Sequence, residues 1–384
     1  MTRRRLRVLH IVQNLNYGGL ERVVADLISR SDRDRFETHL LCLQYLGRFS
    51  EGLGRVADLH VAKPMSRLSM LSPRGLTRAI KRIAPDVVHT HSGVWYKASL
   101  AARRAGVHTV IHTEHGRRQP DPWLDRLLDG IAAGRTDAVV AVSQRLAEDL
   151  PKALRIPPGR VVCIPNGIDT TLYAPRPDSG ALRRELGLAA GVNIIGSIGR
   201  LEPIKGYDMM VTAFGLFLDA PSGRDAVLVI GGEGSAREAL QRQIDELGIR
   251  ERIRLLGWRN DIHDLLSAFS LFTMTSRSEG TSISLLEAMS AGLPPVVTDV
   301  GGNSSVLGAG LAHCLVPFGD PAAMADAWTR TLATEESRRM IGDLARRRVV
   351  DAFGVDAAVK AYERLYLRYA ASYRADELLA APST

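Results

Sequence analysis

Two glutamates flanking a helix start carry the most informative chemistry in this 384-residue chain. Residues 276–302 read SRSEGTSISLLEAMSAGLPPVVTDVGG. Thr281 or Ser282 can cap a helix beginning near Ile283, and Gly292 followed by Pro294 stops it near Ala291. Glu279 then sits on the loop before the helix and Glu287 inside it. The backbone N–H groups of Gly280, Thr281, Ser282 and Ile283 turn toward the positive helix end, where phosphate binds. Helical rise over the interval separates the two carboxylates by about 12 Å. The paired carboxylates of glycoside cleavage stand only about 5–9.5 Å apart, so these two do not share one bond-cleaving task. Carboxylates accept strongly from hydroxyls. The pair suits an elongated ligand with hydroxyls at both ends and phosphates in the middle, the form of a nucleotide diphosphate sugar.

Other motifs add charge and close backbone approach. GRLEPIKG (199–206) follows a strand-like run and supplies Arg200 and Lys205. The chain has only six lysines against 44 arginines, so a merely solvated cation at 205 would more readily be Arg. NLNYGGLERVV (14–24) puts Gly18 and Gly19 between a strand and a helix, where glycine lets the backbone approach a ligand; a plain tight turn would look the same. HTHSGVW and HTEHG place His89, His91, His112 and His115 at strand ends. No carboxylate-rich ligand set accompanies them, so no metal site is expected, and burial is the simpler reading for His89 and His112. VIGGEGSARE (229–238) is not G-x-G-x-x-G, which argues against a dinucleotide cofactor. Asp32–Arg33–Asp34 reads as a solvated loop. Cys42, Cys163 and Cys314 are scattered and read as reduced thiols.

These motifs must be held by alternating strands and helices. Strand candidates in the first half are 6–12, 38–44, 86–91, 108–115, 137–143 and 160–167, with amphipathic helices such as GLERVVADLIS and GLTRAIKRIA between them. PNGIDTTLYAPRPDSG (165–180) reads as a linker. The alternation restarts at 193–201, 226–234, 252–258, 271–280 and 294–302, with a last edge strand near 313–320 and closing helices. Length also favours two cores. The expected domains are 1–170 and 171–353, followed by a C-terminal segment, 354–384, packing back on the first domain.

EGTSISLLE and its continuation AMSAGLPPVVTDVGG resemble the E-x7-E region of the retaining glycosyltransferases of family 4, and the likeness extends over nearly the whole chain, including PNGID (165–169). The resemblance implies a GT-B fold: two Rossmann-like α/β domains, a deep interdomain cleft and a C-terminal crossover helix. It implies that Glu279 contacts the transferred sugar and Glu287 the nucleotide ribose, while Arg200 and Lys205 bind the donor phosphates and offset leaving-group charge in place of a metal. His115 matches a histidine beside the sugar, Gly18 and Gly19 a loop facing donor and acceptor, and Trp258 the neighbourhood of the base; core packing is the other reading of Trp258. After VGGN (300–303) relatives often carry an acidic residue where this chain has Ser304 and Ser305.

The implied reaction moves a sugar from a nucleotide diphosphate donor to an acceptor hydroxyl with retention, without cofactor or metal, in exopolysaccharide, glycolipid or cell-envelope glycan synthesis. The alternatives are an NDP-sugar 2-epimerase of the same fold and a non-catalytic nucleotide-sugar-binding protein. Residues 1–170 carry 27 Lys+Arg against 16 Asp+Glu, and residues 171–384 carry 23 against 26. A basic first half suits an anionic membrane surface or a lipid-linked or glycan acceptor, and an arginine-rich composition accounts for it equally well. No nucleic-acid partner is expected. No apolar run reaches the roughly 18 residues that span a bilayer, and the opening MTRRRLRVLHIVQNLN reads as a buried strand, not a signal segment. The expected location is cytoplasmic, at the inner membrane face.

Overall fold

The structure, a computed structural model, describes residues 4–16, 18–63, 72–116 and 122–370. The chain forms two compact units, one from Met1–Asn166 with Val355–Thr384, the other from Gly167–Gly354. The junction therefore lies between Asn166 and Gly167, inside the Pro/Gly-rich stretch. The end of the C-terminal segment, 371–384, lies outside the described residues.

In the first unit, β1 (Leu6–Asn14), β2 (Phe36–Tyr45), β3 (Asp58–Val61), β4 (Val87–His91), β5 (Thr109–Glu114), β6 (Ala138–Ala141) and β7 (Val161–Cys163) form one sheet. Its order is β3-β2-β1-β4-β5-β6-β7, with every neighbour parallel. Strands β4, β5 and β6 are buried along their whole length, as a parallel sheet covered on both faces requires. β3 escaped the sequence reading because it is a four-residue edge strand, partly exposed and without an apolar run. Strand β7 stops at Cys163, short of the expected 160–167. Helix Val355–Tyr369 belongs to this unit: Glu363 accepts from the Asp32 N–H at 2.8 Å, and Tyr362 and Tyr366 are buried. Asp32 is therefore tied to that helix, while Arg33 and Asp34 are exposed.

In the second unit, β8 (Asn193–Ile198), β9 (Ala226–Gly231), β10 (Ile253–Gly257), β11 (Leu271–Met274), β12 (Pro295–Thr298) and β13 (Leu315–Val316) follow the order β10-β9-β8-β11-β12-β13, again parallel. Phe214, Phe217 and Trp328 fill its core, and the Trp328 indole donates to Thr273 Oγ1 at 3.0 Å.

Strand order reverses beside β1 and β4 in the first sheet and beside β8 and β11 in the second. Open α/β sheets bind ligands at the carboxyl ends of strands around such a reversal. Each motif singled out above leaves one of those ends. Gly18 and Gly19 follow β1, His91 ends β4, and His115 follows β5. The 199–206 loop leaves β8, and the 276–282 loop leaves β11. Among the described residues, no helix is long and apolar enough to cross a membrane. All three cysteines are free, with Cys42 and Cys314 buried.

Candidate functional site

In the second unit the site is built on a short helix, Ile283–Ser290, whose cap is Ser282: its hydroxyl accepts from the Leu285 N–H. Gly292, at φ +80°, ends the helix in the left-handed conformation that glycine adopts without strain. Only the stretch from Ile283 onward is helical. Helical rise thus covers about 6 Å of the run to Glu287, and the 12 Å separation drawn from a continuous helix does not describe the loop that carries Glu279.

That loop is held by its neighbours. Glu279 Oε1 accepts from Lys205 Nζ at 2.6 Å and from Ser276 Oγ at 2.5 Å, with the Glu279 side chain 9% exposed and the Lys205 side chain 22%. Arg277 N–H donates to Ile204 O at 2.8 Å, and the Arg277 guanidinium donates to Pro203 O and Asp208. The Thr275 hydroxyl donates to Gly206 O at 2.8 Å. Gly206 lies at φ +63°, and a Cβ there would fall 2.1 Å from Thr275 O. Gly301, at φ +55°, passes so close that a Cβ would lie 1.8 Å from Glu279 O, while Gly302 N–H donates to Gly280 O at 3.1 Å. The two loops thus form one backbone-braced shelf under the Lys205–Glu279 pair. Sequence reasoning missed Ser276 and Gly301 as its supports. Ser276 sits three residues ahead of Glu279, and Gly301 in the VGGN turn, but neither position signals a contact without the fold.

Arg200 is exposed, and its guanidinium makes no hydrogen bond or ion pair among the described residues. Its loop is fixed from below, with Leu201 N–H donating to Glu233 O at 2.9 Å and Gly199 pressed so close that a Cβ on Gly232 would lie 1.9 Å from Gly199 O. Gly232 and Gly234 of VIGGEG therefore serve this loop packing, a Cβ on Gly234 falling 2.4 Å from Leu201 O. Trp258, just beyond β10, is 40% exposed, which removes the core-packing reading. Glu287 is half-buried on the helix, and Thr281 and Gly280 are buried. Ser305 is exposed, and its carbonyl accepts from Arg348.

In the first unit Gly18 (φ +151°) caps helix Gly19–Arg30. His115 N–H donates to Ser92 Oγ at 2.9 Å, and Ser92 in turn donates to the buried Glu114 carboxylate at 2.7 Å. Behind it, His10, His89 and His91 are buried together. Burial pushes His10 and His115 down to about 3, and for His115 the nearby Glu114 carboxylate opposes the shift. His89 and His91 are driven well below the ordinary histidine range, first by burial and then by the neighbouring imidazoles. The ring nitrogens of His10, His89 and His91 lie within 4.8 Å of one another, a spacing three metal ligands could use. Both His89 nitrogens, however, are engaged at 2.7 Å by Tyr366 and Thr113.

Two Rossmann-like parallel sheets, with a helix tip and a braced cation–carboxylate pair on the second, define a GT-B glycosyltransferase architecture. The chain matches the model of Glycosyltransferase Family 4 over residues 17–172 and that of Glycosyl transferases group 1 over residues 178–348. It belongs to the group 1 glycosyltransferases of GT-B fold and is an enzyme of that class. It is 27% identical over 380 residues to the UDP-Gal:alpha-D-GlcNAc-diphosphoundecaprenol alpha-1,3-galactosyltransferase of Escherichia coli, covering 95% of this chain and 98% of that one. It is 28% identical to the N-acetyl-alpha-D-glucosaminyl L-malate synthase of Bacillus anthracis, over 73% and 74% of the two chains. The fold matches that of Anabaena HepE in complex with UDP and glucose with a TM-score of 0.82 at 23% identity, covering 94% and 99% of the chains.

Proposed function

We propose that this enzyme transfers a hexose from a nucleotide diphosphate sugar to an acceptor hydroxyl with retention, independently of metal, in the assembly of an envelope or extracellular glycan. The observation that carries the reading is the braced Lys205–Glu279 pair beside the start of helix Ile283–Ser290. A carboxylate accepts from sugar hydroxyls, a lysine and an exposed Arg200 compensate a leaving diphosphate, and N–H groups at a helix tip bind its oxygens. In this reading Gly280, Thr281, Ser282 and Ile283 offer those backbone donors. Glu287 holds the ribose, and Trp258 lies by the base. His115 meets a sugar hydroxyl, and Gly18 and Gly19 allow close approach of donor and acceptor.

The acceptor we propose is lipid-linked and presented at an anionic membrane surface on the cytoplasmic side. The Escherichia coli relative is named for a diphosphoundecaprenol-linked acceptor and a UDP-galactose donor. Two features of this chain support the same setting: the excess of Lys+Arg over residues 1–170, and Trp123, Leu124 and Leu127 exposed along helix Trp123–Ala133.

Thermal shift against UDP-, GDP-, ADP- and TDP-sugars tests the donor, because a ligand bound to the native state raises its melting temperature by mass action. The true donor then releases its nucleotide only when acceptor is added, at a rate unchanged by EDTA. Release of an epimerised sugar nucleotide without acceptor would favour the epimerase instead, and loss of turnover in EDTA would end the metal-independent reading.

A further inference from the structure

Three imidazoles in the first unit line up ring to ring. His10 ends at Nδ1, 3.3 Å from His91 Nε2, and His91 Nδ1 lies 3.2 Å from His115 Nε2. The line arises from the sheet. His10 on β1 and His89 on β4 are register partners, so His91, two residues on, projects from the same face, and His115 follows the next strand. The far nitrogen of His115, Nδ1, is sealed from solvent and has no hydrogen-bond partner among the described residues. A buried polar atom left unpaired is costly. It stands beyond the carboxyl end of β5, the side of the sheet where ligands bind.

We propose that His91, backed by His10, is a positioning residue that sets the tautomer and ring angle of His115 so that His115 Nδ1 meets a hydroxyl of the transferred sugar. This rests on the reading of His115 given above.

A neutral imidazole has one N–H and one lone pair. Burial keeps all three rings neutral, so each contact needs a donor on one ring and an acceptor on the other. The three protons must then point the same way along the line, which leaves two arrangements. In one, His10 Nδ1–H donates to His91 and His91 Nδ1–H donates to His115, leaving His115 with N–H at Nδ1. In the other, every proton sits on the opposite nitrogen, and His115 Nδ1 is an acceptor. A hydroxyl serves either arrangement, but only a ring locked in one of them presents a defined partner. The backbone below is locked as well, through Ser92 and Glu114. His89 provides the internal control. It is equally buried beside His91, but its nitrogens go to Tyr366 and Thr113, so it ties the sheet to the C-terminal helix and lies outside the line.

Long-range proton–nitrogen spectra of protein labelled with 15N-histidine read the tautomer directly, with or without turnover. The expected result is a single neutral tautomer for His115 in the wild type, a mixed one in His91→Phe, and an unchanged one in His89→Phe, which lowers only the melting temperature. With the donor established, His91→Phe should lower kcat/KM roughly tenfold, the scale of one lost hydrogen bond. His91→Asn, whose amide reaches the Nδ1 position, should recover most of that loss. The double variant His91→Phe/His115→Phe should be no worse than His115→Phe alone. An unaltered His115 tautomer in His91→Phe, or additive kinetic losses, would overturn the proposal. Absence of turnover with every nucleotide sugar would instead strike the function proposed above, while the spectra still decide the relay.

Discussion

Lys205 Nζ and Glu279 Oε1 stand 2.6 Å apart, 74 residues distant in sequence, each on a loop that leaves a strand beside the reversal of the second sheet. The pair is mostly shielded, so neither charge is well hydrated and each depends on the other. Glu279→Gln keeps the side-chain shape and an acceptor for Lys205 but removes the negative charge. We expect transfer to fall by at least about 10²-fold, the scale seen when one preorganised electrostatic contact to a reacting group is lost, with the melting temperature shifted by only a few degrees. Steady-state kinetics beside calorimetry measures both; normal turnover in Glu279→Gln would remove Glu279 from the sugar site.

Lys205→Met leaves the Glu279 carboxylate with the Ser276 hydroxyl still donating to it at 2.5 Å. Stranding a mostly buried charge should destabilise the second unit by about 1–3 kcal/mol and weaken donor binding at the same time. Because the two side chains touch, Lys205→Met combined with Glu279→Gln should cost less stability than the sum of the single changes. Urea unfolding of the four proteins closes the cycle, and strict additivity would mean that the pair is not coupled.

Gly301→Ala puts a Cβ 1.8 Å from the carbonyl of Glu279 at φ +55°, so the loop carrying the carboxylate must move. Gly319→Ala is the matched control, with φ +88° but open space around the added carbon. Both should lose about 1 kcal/mol to left-handed backbone strain. Only Gly301→Ala should also lose most of its transferase activity. Equal activities in the two variants would show that the 301 contact does not hold Glu279 in place.

How much of this was legible beforehand divides by range. The helix after Ser282, its stop at Gly292 and the buried strands of both sheets are written in local pattern: a capping hydroxyl, a glycine at the left-handed turn, continuous apolar runs. The β3 edge strand is not, because Asp58–Val61 is half-exposed and its pairing to β2 is the only thing that makes it a strand. The site residues Arg200, Lys205 and Glu279 are legible from residue type and local motif, and their roles from family likeness. What joins Lys205 to Glu279, or His10 to His91 and His115, is strand order, and no spacing along the chain encodes it. The histidines at strand ends were visible as a group, but their division into a helix tie at His89 and a line toward His115 required ring-to-ring distances.

Trp123 is 75% exposed, with Leu124 and Leu127 about half exposed on the same helix. If this face seats on lipid, Trp123→Ala with Leu127→Ser should cut co-sedimentation with anionic phosphatidylglycerol vesicles several-fold. Exposed side chains support no packing, so the melting temperature should hold. The electrostatic part should fade in 0.5 M salt, where the screening length drops to a few ångströms. Equal binding of wild type and variant to those vesicles would remove this face as a lipid-seating surface.

The buried histidines predict an acid-sensitive first unit. His10, His89, His91 and His115 all bind protons less readily in the folded chain than at the ordinary value of 6.5. Below pH 6.5 the unfolded chain takes up protons that the folded one refuses, so stability falls with falling pH, by up to about 1.4 kcal/mol per pH unit for each histidine. For His10 and His115 this window runs from 6.5 down to about 3. The opposite limit is set by Tyr362 and Tyr366, whose burial raises them above the usual 10, so stability declines again as pH rises past 10. Denaturation midpoints at pH 7, 6 and 5 should therefore decrease in order. His10→Leu should flatten that trend by up to one proton's worth of slope. A flat profile between pH 7 and 5 would mean that these rings titrate normally and are not buried as neutral bases.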